Sequence, residues 1–112
     1  AWGKHQDWWE QFWQRSTVKI SGTPEAERVT RAYELQRYLN ACQSRGRFPI
    51  KFNGGLFTVA HQDEGWGPDY RLWGGSYWIQ NGRLSYWPML MDGDFDLMLP
   101  FFDLYWRNLP LA

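Results

Sequence analysis

The chain has 112 residues, enough for one domain, and its twelve Lys and Arg residues balance twelve Asp and Glu residues. The zero net charge argues against a nucleic-acid partner, because no basic excess exists to neutralise phosphates. We expect no membrane partner, since no run of about 18 apolar residues and no basic amphipathic helix is present. Aromatic residues form 20% of the chain and include nine tryptophans. A domain this small is not expected to bury all of them alone.

The first predicted helix runs from about Lys4 to Gln14. Its aromatic residues recur mostly at spacings of three and four, which is typical of one broad helix face. We expect this stripe to pack in a core rather than bind a ligand, and His5 to be packed or hydrogen-bonded rather than catalytic. The residues of the stripe are Trp2, His5, Trp9, Phe12 and Trp13.

The second predicted helix runs from Pro24 to about Ser44, with Thr23 as its cap and Gly46 placed to terminate it. We expect two apolar faces of this helix to be covered. One face comprises Val29, Ala32, Tyr33, Gln36 and Leu39, and the other comprises Leu35, Tyr38 and Cys42. Because Cys42 is the only cysteine, no intrachain disulfide can form, and we expect its thiol to be buried.

Residues 48–75 show no helical period and predict a hairpin or a long ordered loop around Asn53-Gly54-Gly55. Long loops in compact domains are usually functional. A third helix is predicted over about Tyr77 to Met91, with a kink or a break near Tyr86–Trp87 because Pro88 lies inside it. A turn at Asp92-Gly93-Asp94 then leads to a fourth helix, which Asp94 is expected to cap and Pro100 to bend or restart. The predicted fold class is therefore mainly α.

The stretch from 65 to 88 is the candidate functional surface. It holds four of the tryptophans, and amide, carboxylate and guanidinium groups lie between them. Such a mixture suits a sugar ring, whose C–H faces pack on aromatic rings while its hydroxyls need donors and acceptors. The chain lacks a phosphate-cradling glycine motif, and its histidines and cysteine do not form a metal-ligand set. We therefore expect a glycan ligand, no cofactor and no metal.

Hydrolysis of a glycosidic bond usually needs two carboxyl groups, and Asp63, Glu64 and Asp69 are the candidates near tryptophans. The alternative for Asp63 and Glu64 is that they are solvated loop charges. Pairing with Arg71 would lower the pKa of Asp69. Three functions stay open at this point: a segment of an enzyme, a non-catalytic carbohydrate-binding module, or a structural helical interaction domain.

Three motifs carry a family resemblance: RYLNACQSRGRFPIKFNGGLF at 37–57, WGPDYRLWGGSYWIQN at 66–81, and RLSYWPMLMDGDFDLMLPFFDLY at 83–105. In their order and spacing they resemble the (α/α)6-barrel glycoside hydrolases of the α-L-fucosidase type, glycoside hydrolase family 95 and its bacterial relatives. The resemblance implies helical hairpins of an (α/α)6 toroid, with the active site at the mouth of the inner helices. It also implies an extracellular or periplasmic location.

The resemblance implies a catalytic role for Asn81, which matches the second asparagine of a paired family motif and would position a water or a sugar hydroxyl. The first asparagine is replaced by Ile79, and the family's general-acid glutamate lies downstream of this region. The predicted substrate-binding residues are Asn53, Trp66, Asp69, Arg71, Trp73, Trp78, Gln80 and Arg83. We expect residues 1–112 to be about one third of a toroid, completed by the remainder of a parent polypeptide or by self-association.

Overall fold

The computed structural model describes residues 1–51 and 77–111, and this part of the chain is mainly helical, as predicted. No strand occurs within these two ranges. The helices are α1 (Trp2–Arg15), α2 (Pro24–Gln43), α3 (Ile79–Gly82), α4 (Trp87–Asp92) and α5 (Leu99–Asn108). Short 3-10 turns occupy Arg83–Ser85, Phe95–Met98 and Leu109–Leu111. None of the described helices is both long and apolar enough to cross a membrane.

Several predictions fall outside the described residues. They are the hairpin or loop around Asn53, the candidate carboxylates, and two of the three tryptophans predicted to bind substrate. The residues concerned are Asn53, Asp63, Glu64, Trp66, Asp69, Arg71 and Trp73.

The ends of α2 follow local sequence signals. Thr23 Oγ1 accepts a hydrogen bond from the Ala26 amide at 3.2 Å, and Pro24 occupies the first turn, where its missing N–H costs nothing. At the other end the Ser44 amide donates to the Asn40 carbonyl at 2.9 Å. The predicted bounds are confirmed to within one residue.

The third predicted helix is broken at Tyr86, which confirms the expected break. Pro88 lies in the first turn of α4, where its ring and missing N–H are tolerated. A 3-10 turn after α3, which was not predicted, separates the two short helices. The turn after α4 is also confirmed, since Gly93 ends the helix in the left-handed region at φ +72°. Pro100 then restarts the chain in the first turn of α5.

A small core joins α1, α2, α4 and the segment before α5. Phe12 of α1 is fully buried, and the Trp8 ring stacks on it with centroids 5.2 Å apart. Trp8, Trp9 and Phe101 pack against this core from its edge. The buried apolar residues are Phe12, Ala41, Ile50, Tyr86, Met89, Leu97 and Met98.

The core-packing prediction for α1 is therefore correct for Phe12 and only partly correct for the rest of the stripe. Trp2 is 69% exposed, and Trp13 is also exposed. His5 contacts two rings of its own helix, with its ring 5.2 Å from that of Trp2 and 6.3 Å from that of Trp9, but the residue is exposed and not packed in the core.

The prediction for α2 is wrong about which face is buried. Val29 and Leu35 are 52% and 53% exposed, and Cys42 is exposed rather than buried. The buried positions are instead Arg37, Asn40 and Ala41. The face with Arg37 is buried because its guanidinium binds a carboxylate and backbone carbonyls there. The apolar positions lie on other faces of the helix and are therefore exposed.

Candidate functional site

The candidate sugar-binding residues that the structure describes lie on and around α3. We call Trp78, Gln80, Asn81, Arg83 and Trp87 the α3 surface. Trp78 immediately precedes α3, and its carbonyl accepts a hydrogen bond from the Gly82 amide at 2.7 Å. Four predicted site residues thus lie within six consecutive sequence positions, and Trp87 follows at the start of α4.

Helix α5 holds the beginning of α3 in place. The Tyr105 hydroxyl donates to the Tyr77 carbonyl at 2.9 Å, directly before Trp78. Gly82 is buried, and an added Cβ would sit 3.7 Å from Phe101 Cε2, in ordinary van der Waals contact. The position of α3 is therefore fixed by packing on α5 rather than by the intrinsic stability of a four-residue helix.

Both tryptophans of the α3 surface present ring area to solvent. Trp78 is 52% exposed and Trp87 is 53% exposed. The Arg83 guanidinium lies over the Trp87 ring, with 5.4 Å between Cζ and the ring centroid, so that this cation is oriented by its neighbour. Gln80 is exposed and Asn81 is half-buried. Among residues 1–51 and 77–111, neither side-chain amide forms a hydrogen bond, so both can serve a polar ligand.

No room for a sugar exists behind Trp78. The cavity bounded by Pro49, Ile50, Tyr77, Trp78 and α5 measures about 10 Å³, roughly what a single water needs. A ligand of the α3 surface must therefore contact the exposed faces of the tryptophans.

Tyr86 ties the α3 region to the segment after α2. Its hydroxyl accepts a hydrogen bond from the Ile50 amide at 2.6 Å, and its ring lies 4.5 Å from that of Phe101. Burial raises the pKa of the Tyr86 phenol to about 12, although the hydrogen bond from Ile50 works in the opposite direction. The phenol is therefore neutral at pH 7, and its burial keeps it away from a ligand.

A larger polar cluster among the described residues was not predicted from the sequence. We call Arg37, Asp92, Asp94, Tyr33 and Ser16 the Arg37 hub. Arg37 is 1% exposed and donates from Nε and Nη2 to the two carboxylate oxygens of Asp94 over 3.0–3.1 Å. Its remaining donors reach the Ser16 carbonyl at 2.6 Å and the Phe12 carbonyl at 3.1 Å. Arg37 thereby caps the carboxyl end of α1, where carbonyls lack intrahelical partners.

Asp92 completes the hub on its other side. Tyr33 Oη donates to Asp92 Oδ1 at 2.8 Å and lies 2.6 Å from Ser16 Oγ. The pKa of Tyr33 is raised, chiefly by burial and also by Asp92, while the Ser16 hydroxyl opposes the shift. Arg15 pairs with Asp96 and reaches Asp94 at 3.5 Å. Three carboxylates are thus held by two guanidinium groups and a phenol.

The hub corrects one prediction about Asp94. Its carboxylate does not cap the following 3-10 turn but binds Arg37, and only its backbone carbonyl accepts from the Leu97 amide at 3.1 Å. Asp92 and Asp94 both lie close to Arg37 Nε, yet both are buried and occupied by donors. They are therefore not free to exchange protons with a substrate. The signal available in the sequence was Arg37 itself, one helical turn from Tyr33 and Ala41.

The comparisons with known proteins add no relatives. No protein-family model, no curated protein and no solved structure matches this chain. The resemblance to fucosidase-type toroids is untested and stays a prediction. In the described part of the chain, no group of three or more His, Cys, Asp or Glu residues could hold a metal ion.

Proposed function

We propose that this chain is a segment of a glycoside hydrolase catalytic domain and that its α3 surface binds a glycan. The observation that carries the proposal is the exposure of Trp78 and Trp87, at 52% and 53%, beside an oriented guanidinium and two side-chain amides that bond no other described residue. Sugars are recognised by this combination, in which aromatic rings supply apolar contact and a few polar groups set orientation.

Each residue of the α3 surface has a distinct part in the proposal. Trp78 supplies the exposed ring on which a sugar packs, and Gln80 supplies amide donors and acceptors for hydroxyls. Arg83, held over Trp87, provides a fixed fork of donors. Asn81 orients a water or a sugar hydroxyl, a role that rests on the family resemblance.

In the proposal, the carboxylates that cleave the glycosidic bond lie outside the Arg37 hub. The described pair Asp92 and Asp94 is committed to Arg37 and Tyr33. A hydrolase would therefore draw its acid and its base or nucleophile from Asp63, Glu64, Asp69 or another part of a longer polypeptide. We expect the isolated chain to bind sugar without hydrolysing it.

A second candidate function is favoured by the apolar surface of α4 and α5. Met91 is 87% exposed, Trp106 is 74% exposed and Leu111 is 82% exposed. Exposed apolar residues in this number are typical of surfaces that another chain or domain covers. In the toroid proposal, further helices of the parent polypeptide or a second copy cover them. In the alternative, the chain is a helical interaction domain without a sugar ligand.

Titration of tryptophan fluorescence with a panel of neutral oligosaccharides distinguishes these two functions. The proposal expects a saturable response that Trp78→Ala weakens at least about fivefold, or roughly 1 kcal/mol. Trp106→Ala is the matched control, because it removes an even more exposed tryptophan that lies outside the α3 surface. A chain that responds to no sugar would favour the interaction domain, and equal losses in both variants would contradict a site at Trp78.

A further inference from the structure

A second cleft lies away from the α3 surface, between the carboxyl end of α2 and the beginning of α5. It encloses about 360 Å³, and its walls include Trp8, Ser44 and the arginines Arg45, Arg47 and Arg107. We call it the arginine cleft. Three guanidinium groups around one concavity are unexpected in a chain whose net charge is zero.

Arg45 is held in place by a series of ring contacts. Its Cζ lies 3.7 Å from the centroid of the Trp8 ring, which stacks on the buried Phe12 ring at an interplanar angle of 10°. Phe12 in turn contacts the Arg37 guanidinium at 4.3 Å. A cation stacked on an aromatic face keeps the edge donors of its fork available. Arg45 is therefore preorganised to donate, although its side chain is exposed.

The charges at the cleft do not cancel. Two carboxylates line it, but Asp96 pairs with Arg15 and Asp103 pairs with Arg107 at 2.8 Å. Within the described ranges, no carboxylate lies in salt-bridge distance of Arg45 or Arg47.

We propose that the arginine cleft binds a tetrahedral oxyanion, either a free sulfate or phosphate or the same group as an ester on a larger ligand. Arg45 and Arg47 donate to its oxygens, because guanidinium forks match such anions in charge and geometry. The inference does not depend on the proposed function, since none of these residues belongs to the α3 surface.

The test follows the arginine Nε–H and backbone amide signals of the full chain by NMR during titration with sodium sulfate. Sodium chloride holds the ionic strength constant, because exposed charge interactions weaken with salt. Parallel titrations use glucose 6-sulfate and glucose, which separate an ester-bearing ligand from the free ion. The variants are Arg47→Ala and Arg45→Gln. Arg28→Ala is the control, since it removes one positive charge from an exposed pair with Glu25 at the other end of α2.

We expect saturable shifts around Ser44 to Arg47 with sulfate, at least fivefold weaker binding in Arg47→Ala and Arg45→Gln, and unchanged binding in Arg28→Ala. Tighter binding of glucose 6-sulfate than of sulfate would identify an ester-bearing ligand, and glucose alone should leave these signals unmoved. The proposal is overturned if sulfate produces no more shift than chloride. It is also overturned if Arg28→Ala weakens binding as much as Arg47→Ala does. Because Arg47 is exposed and, among the described residues, stacks on the exposed Phe48 at 5.7 Å, its variant should keep the fold even if Arg45→Gln loosens Trp8.

Discussion

Replacing Asp94 with asparagine tests the Arg37 hub most sharply. The substitution preserves side-chain shape but removes the nearer of the two negative charges that face Arg37, the other being Asp92 at 3.8 Å from Nε. Three donor–acceptor contacts of 3.0–3.1 Å join the two side chains, which are both about 1% exposed. Breaking one partner of a buried ion pair typically costs about 3–5 kcal/mol, because the other charge stays buried without compensation.

The expected loss for Asp94→Asn is therefore about 3–5 kcal/mol of the free energy of unfolding, a large share of the 5–15 kcal/mol typical of whole domains. Arg15 lies 3.5 Å from Asp94 and is 29% exposed, so solvent can take over its interaction and it adds little to the loss. Glu25→Gln, which breaks the exposed pair with Arg28 at 2.9 Å, should cost less than about 1 kcal/mol.

The assay is urea unfolding followed by circular dichroism, with the slope of the transition compared between variants. The double variant Arg37→Met with Asp94→Leu should recover part of the loss, since neither member of this pair then leaves a buried charge and Asp92 keeps its hydrogen bond from Tyr33. A loss in Asp94→Asn as small as that of Glu25→Gln would refute the hub as a determinant of the fold.

Three further predictions follow from single features. The pKa of Tyr86 is raised from 10.0 to about 12, so the folded state holds this proton more tightly than the unfolded state. The free energy of unfolding should therefore fall as pH rises from about 10 through 12. Tyr86→Phe should flatten that part of the pH profile, measured by urea unfolding. Gly93→Ala forces a Cβ into the left-handed region at φ +72°, and thermal unfolding should show a loss of about 1–2 kcal/mol, compared with no such strain for Gly3→Ala within α1. Size-exclusion chromatography with light scattering should show self-association that Trp106→Ser weakens, and a monomer at all concentrations would contradict a second copy as the cover of α5.

The helix bounds could be predicted because their signals are local. Thr23 and Pro24 start α2, Pro88 breaks the third predicted helix, and Gly93 ends α4, each through chemistry confined to one turn. The short 3-10 turn before the break could not be predicted in this way, because its neighbours in the fold and not its own residues decide it.

The buried face of α2 could not be predicted because it depends on a distant partner. Arg37 and Asp94 are 57 residues apart in sequence, and neither residue alone indicates burial. Once the pair forms, it selects the face that holds Asn40 and Ala41, and Val29 stays in solvent although its apolar character suggested otherwise.

For the candidate site, the sequence suggested the residues of the α3 surface but not what supports them. Trp78 and Gln80 are both exposed, which a ligand-facing role requires. The contact between Tyr105 and the Tyr77 carbonyl, which fixes their position, joins residues 28 apart and had no local signal. The arginine cleft could not be predicted for the same reason, since its arginines come from α5 and from the segment after α2.

The most direct test of the glycan surface is the indole N–H signal of Trp78, assigned by its absence in Trp78→Phe, during titration with the oligosaccharide panel. We predict that at least one oligosaccharide shifts this signal and the side-chain amide signals of Gln80 and Asn81 along a common saturation curve, while the Trp106 indole does not move. If no oligosaccharide moves the Trp78 indole, or if the Trp106 indole shifts equally, the α3 surface is not a sugar site.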